Sequence, residues 1–272
     1  MMLEKLAVKL FDKEAKESKA LNYLPLPFTV EYRYDLIKRA VLTELQNQKQ
    51  PKGVDPMAGK RTNAESRGVG YGIARIPRVR ASGTPRADQG AFAPSTRGGY
   101  HPTAPKSEKK VRVKMNKKEK KLALFSAIAA TAKLDLVLRR GHQITNPDLS
   151  LPIVVDEEVS KISKTKELID FLKKLGIYAD IERVKSSIKI RAGKGKRRGR
   201  RYQERKGPLL VKLGNEPIAL AFKNLAGADV ADVRNLPVHQ LAPGCLPGRL
   251  TIWTLNAYNY LADKFGFVGE RK

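Results

Sequence analysis

The sequence is short of the residues that most chemistry needs. One cysteine, Cys245, stands alone in 272 residues. An internal disulfide framework is thereby excluded, and a reducing compartment is the matching environment. Only His101, His142 and His239 represent histidine, far apart and with no Cys or acid at ligand spacing, so no metal site is read from them. There is no apolar run of about 18 residues, the length a membrane-spanning helix needs. The first residues, Met1 to Asp12, hold no uninterrupted apolar region of signal-peptide type. A cytoplasmic protein without a membrane partner is expected.

Acid is scarce as well. Twenty-seven Asp and Glu face 54 Lys and Arg, a formal net charge of +27. The excess is concentrated. Residues 47–116 carry +11 and residues 191–206 carry +8, leaving +8 for all the rest. Two segments of one sign are the footprint of a polyanion binder.

The first basic segment lacks any means of building a core. Between Gln48 and Pro105 it has nine glycines and seven prolines. Its apolar residues, among them Val54, Val69, Tyr71, Ile73, Ile76 and Phe92, keep neither helical nor strand period. Lys60, Arg61, Arg67, Arg75, Arg78, Arg80, Arg86 and Arg97 are spaced along it. A cationic segment without a face to bury needs an anionic partner to order it. The expected organisation is an α/β body over 1–47 and 116–272, with an extended basic loop over 48–115 inserted into it.

The flanks are well patterned. Alternation of Leu6, Val8 and Leu10 reads as a strand, and the polar stretch to Leu21 as a turn or short hairpin. Asp35 reads as the cap of a helix to Gln46, with Ile37, Val41 and Leu45 on one face. Asn116 and Glu119 have capping-box spacing before a buried helix from Leu122 to Leu138. Strands are expected at 151–155, 208–213, 229–233 and 250–254, and helices at 165–175, 179–186, 217–224 and 255–265. Such alternation implies βαβ units, hence a Rossmann-like, mostly parallel sheet with flanking helices.

Catalytic signals fail on context. Gly193-Lys-Gly195-Lys-Arg-Arg-Gly199 has glycine spacing near that of a dinucleotide loop, but Arg200-Arg201-Tyr202 follow where an apolar helix is needed. Gly59-Lys60 is followed by Arg61, not by the Ser or Thr of a phosphate loop. No nucleophile–base set is evident, and Cys245 reads as a small packing residue. No cofactor, metal or catalytic residue is assigned.

The second basic segment gives a positive signal. Arg191, Lys194, Lys196, Arg197, Arg198, Arg200 and Arg201 are interleaved with glycine, which lets backbone approach phosphates. Tyr202 offers a ring for stacking on a base. In the first segment, Arg67-Gly-Val-Gly-Tyr-Gly-Ile-Ala-Arg-Ile-Pro-Arg-Val-Arg80 suits extended backbone threading folded RNA more than a helix reading a DNA groove.

These residues carry a resemblance. The run Arg67 to Arg80, then Gln89-Gly-Ala-Phe-Ala-Pro94 and Arg97-Gly-Gly-Tyr-His-Pro102, resemble the arm of the universal large-subunit ribosomal protein four family. Arg191-Ala-Gly-Lys-Gly-Lys196, Asn224-Leu-Ala-Gly-Ala-Asp229, Leu241-Ala-Pro-Gly244 and Gly248-Arg-Leu-Thr251 resemble its body, in the archaeal and eukaryotic form. Without the long C-terminal extension of the eukaryotic members, the chain looks archaeal. The resemblance implies a structural protein of the ribosome, bound to large-subunit ribosomal RNA and to neighbouring ribosomal proteins. Its arm would help line the peptide exit tunnel and meet the nascent peptide, with Gly72, Ile73, Arg75, Ile76 and Arg78 at the tip. No homo-oligomer is expected. An RNA-modifying enzyme with basic RNA grips is the alternative reading, and it requires a cofactor fingerprint that the sequence does not supply. A DNA-compacting protein is a third.

Overall fold

The computed structural model describes residues 8–146 and 149–269. They divide into two compact units, Gln46–Val113 and the remainder, described separately below.

The larger unit is built on a six-stranded sheet. Its strands are β1 (Val8–Phe11), β2 (Glu17–Leu21), β3 (Ile153–Val155), β4 (Leu209–Lys212), β5 (Asp229–Asp232) and β6 (Thr251–Thr254). Their spatial order is β5-β4-β6-β3-β1-β2. All neighbours run parallel except β1 and β2, which form an antiparallel hairpin at one edge. Residues Leu6 and Ala7 of the expected first strand lie outside the described residues.

Alternation along the strands builds two cores. Val154, Leu209, Val211 and Trp253 face one side; Ile153, Val155, Leu210 and Ile252 face the other. Both faces are therefore covered, which is why β3 and the first three residues of β4 read as continuous apolar runs, while β6 sets Ile252 and Trp253 between buried Thr251 and Thr254. Helices α1 (Tyr34–Asn47), α2 (Lys117–Thr131) and, near the C-terminus, α7 (Leu255–Phe265) cover the first face. Between α2 and β3 lies α3 (Leu134–Arg139). The second face takes α4 (Thr165–Leu175), α5 (Tyr178–Ser186) and, after β4, α6 (Ile218–Lys223). In α4, Leu168, Phe171, Leu172 and Leu175 have helical spacing and are all buried. Each such side chain contributes roughly 1.5–3 kcal/mol by leaving water. Gly176 then closes the helix at φ 81°, a left-handed conformation that costs a side-chain-bearing residue more.

Three details differ from the sequence reading. The helix expected over Leu122 to Leu138 is two helices, broken at Ala132 and Lys133. Continuing α2 would carry Lys133 onto the face of Ala129 and Ala130, which is fully buried. The break leaves that ammonium in water. Asn116 flanks α2 but makes no capping bond through its side chain. Glu119 pairs instead with Arg39 of α1, so the capping box does not close. Asp35 lies inside the first turn of α1, held by Arg33 at 2.7 Å, and favours the helix through its dipole rather than as the cap.

The smaller unit has little regular structure. Ala64–Glu65 pairs antiparallel with Arg78–Val79. Backbone bonds join Val79 to Gln89 (3.0 Å) and Ala91 to Pro77 (2.8 Å). Sequence period shows none of this pairing, because backbone hydrogen bonds do not require an apolar face. Val54, Met57, Val69, Tyr71, Ile73 and Phe92 remain exposed. At its ends, Asn47 Nδ2 donates to the Val113 carbonyl (3.0 Å) and its Oδ1 accepts from the Val113 amide (2.8 Å).

Candidate nucleic-acid interface

The segment between α5 and β4 is a basic hairpin. Lys189–Ile190 pairs antiparallel with Tyr202–Gln203, and Gly193–Arg198 forms a short 3-10 turn between them. Gly199 leaves that turn at φ 75°, and the chain doubles back. Lys194, Lys196, Arg197, Arg198, Arg200 and Arg201 are all exposed, and none forms an ion pair among the described residues. The Arg201 guanidinium lies 5.8 Å from the ring of Tyr202, which is 62% exposed. Arg191 is placed differently from the others. Its Nε donates to the Arg200 carbonyl (3.0 Å) and its amide to the Arg201 carbonyl (2.8 Å), so it braces the hairpin from within.

The root of the hairpin is anchored in the body by buried charge. Lys206 Nζ donates to Asp229 Oδ2 at 2.9 Å. Arg249, fully buried, donates to the same oxygen at 2.7 Å, to Gly207 O at 2.8 Å and to Gln240 O at 2.9 Å. On the other limb, Arg183 donates to Asp180 (2.9 Å) and to the Lys206 carbonyl (3.3 Å). Asp180 also accepts from the amide of Gln143 and lies 2.9 Å from His142 Nδ1. Burial pushes both carboxyls up. The bonds from Lys206 and Arg249 to Asp229, and from His142 and Arg183 to Asp180, overcome it and hold both below the ordinary range. Burial lowers His142, which we assign as neutral, its Nδ1–H donating to the Asp180 carboxylate. Its Nε2 has no partner among the described residues.

The position of this root matters. Gly207 and Pro208 precede β4, Asp229 begins β5, and Arg249 precedes β6. The hairpin therefore springs from the amino ends of the parallel strands. The carboxyl ends carry Asp12, Asp156, Glu216 and Asp232. Cofactors of open α/β sheets bind at the carboxyl ends. Here those ends carry mixed charge, with Lys13, Lys212 and Arg234 beside the acids, while the opposite end presents the basic hairpin.

The cations of the smaller unit are in mixed states. Arg61 pairs with Asp55 (2.6 Å), Arg80 with Glu65 (3.0 Å) and Arg67 with Asp88. Arg78 donates to the Asp88 carbonyl at 2.9 Å. Lys60 lies 5.3 Å from the ring centre of Tyr100. Arg75, Arg86 and Arg97 are exposed and carry no ion pair among the described residues. Gly72 and Ile73 are exposed beside them, and Ile76 is half-buried. Sequence reasoning did not find Asp180, Asp229 and Arg249 as anchors. The one available sign was an arginine set between Gly248 and the apolar strand residues.

Residues 24–264 match the model of the ribosomal protein L4/L1 family. A protein of Sulfurisphaera tokodaii named large ribosomal subunit protein uL4 is 48% identical over 243 residues, covering 89% of each chain. Its namesake in Saccharolobus solfataricus is 45% identical over 256 residues, covering 94% of this chain and 93% of its own.

Proposed function

Because the chain belongs to the ribosomal protein L4/L1 family, we propose that it is a structural constituent of the large ribosomal subunit that binds ribosomal RNA. The protein is not an enzyme. One observation carries the RNA reading: six exposed cations without acidic partners sit on a hairpin whose root is fixed in the body. A backbone fixed at its root loses little freedom when phosphates arrive, and arginine binds them with two bonds. The inserted segment offers its own cations in Arg75, Arg86 and Arg97, which carry no ion pair among the described residues. That segment is the extended loop that threads the RNA, with Gly72, Ile73, Arg75, Ile76 and Arg78 at the wall of the peptide exit tunnel. Neighbouring ribosomal proteins and the nascent peptide complete its partners.

A salt titration of the full chain on a large-subunit rRNA transcript tests the RNA reading. Replacing Arg197, Arg198, Arg200 and Arg201 together by alanine lowers affinity and reduces the slope of log K against log salt by about 3. An unchanged slope removes the hairpin from the interface. For the tunnel, subunits assembled with a chain lacking 72–83 are imaged and assayed for nascent-chain arrest. Unaltered tunnel width and arrest together refute that role.

A further inference from the structure

The amino end of the sheet, where the basic hairpin is rooted, also carries a cavity. About 400 Å³ in volume, it opens between the segment before α1, helix α3 and the loop before β6. Tyr32 and Tyr34 form one wall, Leu136 and Arg139 another, and Leu246 and Pro247 a third. Its volume falls within the range of about 300–1,000 Å³ typical of small-molecule sites.

The walls are held, not loose. The Arg33 amide, between the tyrosines, donates to Ser126 Oγ of α2 at 2.6 Å. Arg140 donates to the carbonyls of Leu246 and Pro243, tying the third wall to the end of α3. Gly248 lets the same loop press on α3: a Cβ there would lie 2.6 Å from the carbonyl carbon of Leu136. Yet the groups facing the opening stay accessible, with Lys38 Nζ 6.0 Å from the centre of the Tyr34 ring. Tyr34 is 42% and Leu246 57% exposed. Arg139 is exposed and makes no ion pair among the described residues.

We propose that this cavity receives one unstacked nucleotide of single-stranded RNA, its base against Tyr32 and Tyr34 and its phosphate on Arg139. The inference rests on the RNA-binding reading above. Aromatic rings beside an unpaired arginine are the chemistry that takes a splayed base with its phosphate. Continuity supports the occupant. The loop that supplies Leu246 and Pro247 runs directly into Arg249, the anchor of the basic hairpin. Burial, with repulsion from nearby Arg249 added to it, brings Arg140 down to about 10. The pocket and the hairpin therefore share one cationic end of the body, and an RNA strand on the hairpin has the pocket within the same field.

Ultraviolet crosslinking of the full chain to a large-subunit rRNA transcript, followed by peptide mapping, tests the proposal. The expected result is a nucleotide attached at Tyr32 or Tyr34. Tyr34→Leu and Arg139→Gln, both at exposed positions, each weaken binding about fivefold or more. Circular dichroism checks that both variants keep the fold. Wild-type affinity in both variants, with crosslinks only at the hairpin and inserted segment, overturns the pocket and leaves the RNA reading standing. Absence of any rRNA binding by the wild-type chain overturns both. Crosslinking of the pocket to a protein segment in assembled subunits also overturns it, by giving the cavity another occupant.

Discussion

Arg249 Nη2 and Asp229 Oδ2 lie 2.7 Å apart, and Lys206 Nζ reaches that same oxygen from the hairpin side. One carboxylate thus joins a fully buried guanidinium to the base of an exposed cationic loop. The two partners differ in burial, and burial sets what each pair is worth. Removing the partner of a buried charge costs about 3–5 kcal/mol, whereas exposed pairs contribute roughly 0–1 kcal/mol.

Asp229→Ala is therefore expected to lower unfolding free energy by about 3 kcal/mol or more. Lys206→Ala is expected to lower it by under about 1 kcal/mol. Urea unfolding of both variants makes the comparison. Equal losses would show that the buried guanidinium does not depend on Asp229.

His142 gives the body a pH dependence. Burial lowers its folded-state pKa below the usual 6.5, so the unfolded chain takes up the proton first as pH falls. The stability it contributes is complete above about pH 6.5 and is lost as pH falls from there toward the folded-state value. Asp180, also depressed, acts at lower pH, because its ordinary value is 3.8. His142→Gln keeps a donor for Asp180 and removes the titration. Urea midpoints at pH 7 and pH 5 should converge in this variant relative to wild type. The same shift in both proteins would assign the dependence elsewhere.

On the proposed function, the internal acids of the inserted segment should compete with RNA. Glu65 and Asp88 each occupy an arginine, and these pairs are exposed enough to yield to phosphate. The double variant Glu65→Gln, Asp88→Asn frees Arg80 and Arg67 from their acidic partners. It should bind an rRNA transcript about three- to tenfold more tightly at low salt, with a steeper salt dependence. Weaker binding would mean that these pairs shape the segment for its target.

The sequence displayed the periodic parts of this fold and concealed the long-range ones. Leu168, Phe171, Leu172 and Leu175 announce α4 because helical spacing is local. The runs at β3 and β4 announce buried strands because both faces of the sheet are covered. The break between α2 and α3 carries no Gly or Pro. It follows from where Lys133 would point, which only the packed structure reveals. The hairpin cations stand out by their density. Asp229 and Asp180 do not, since an isolated acid reads as surface until Arg249 and His142 meet it in space. Arg191 shows the converse. In sequence it is one more cation of the run, while in the structure it is the brace that shapes the others.

The closure at Asn47 has a consequence for how such chains change over time. Asn47 and Val113 are 66 positions apart and bonded in both directions, so the smaller unit enters and leaves through one narrow gate. Whatever is threaded through that gate alters the loop-closure entropy by only about 0.6 kcal/mol for each doubling of length. Residues can be added to or trimmed from its far end with little thermodynamic resistance from the gate itself. Length in this segment is then free to vary, while the gate keeps its register.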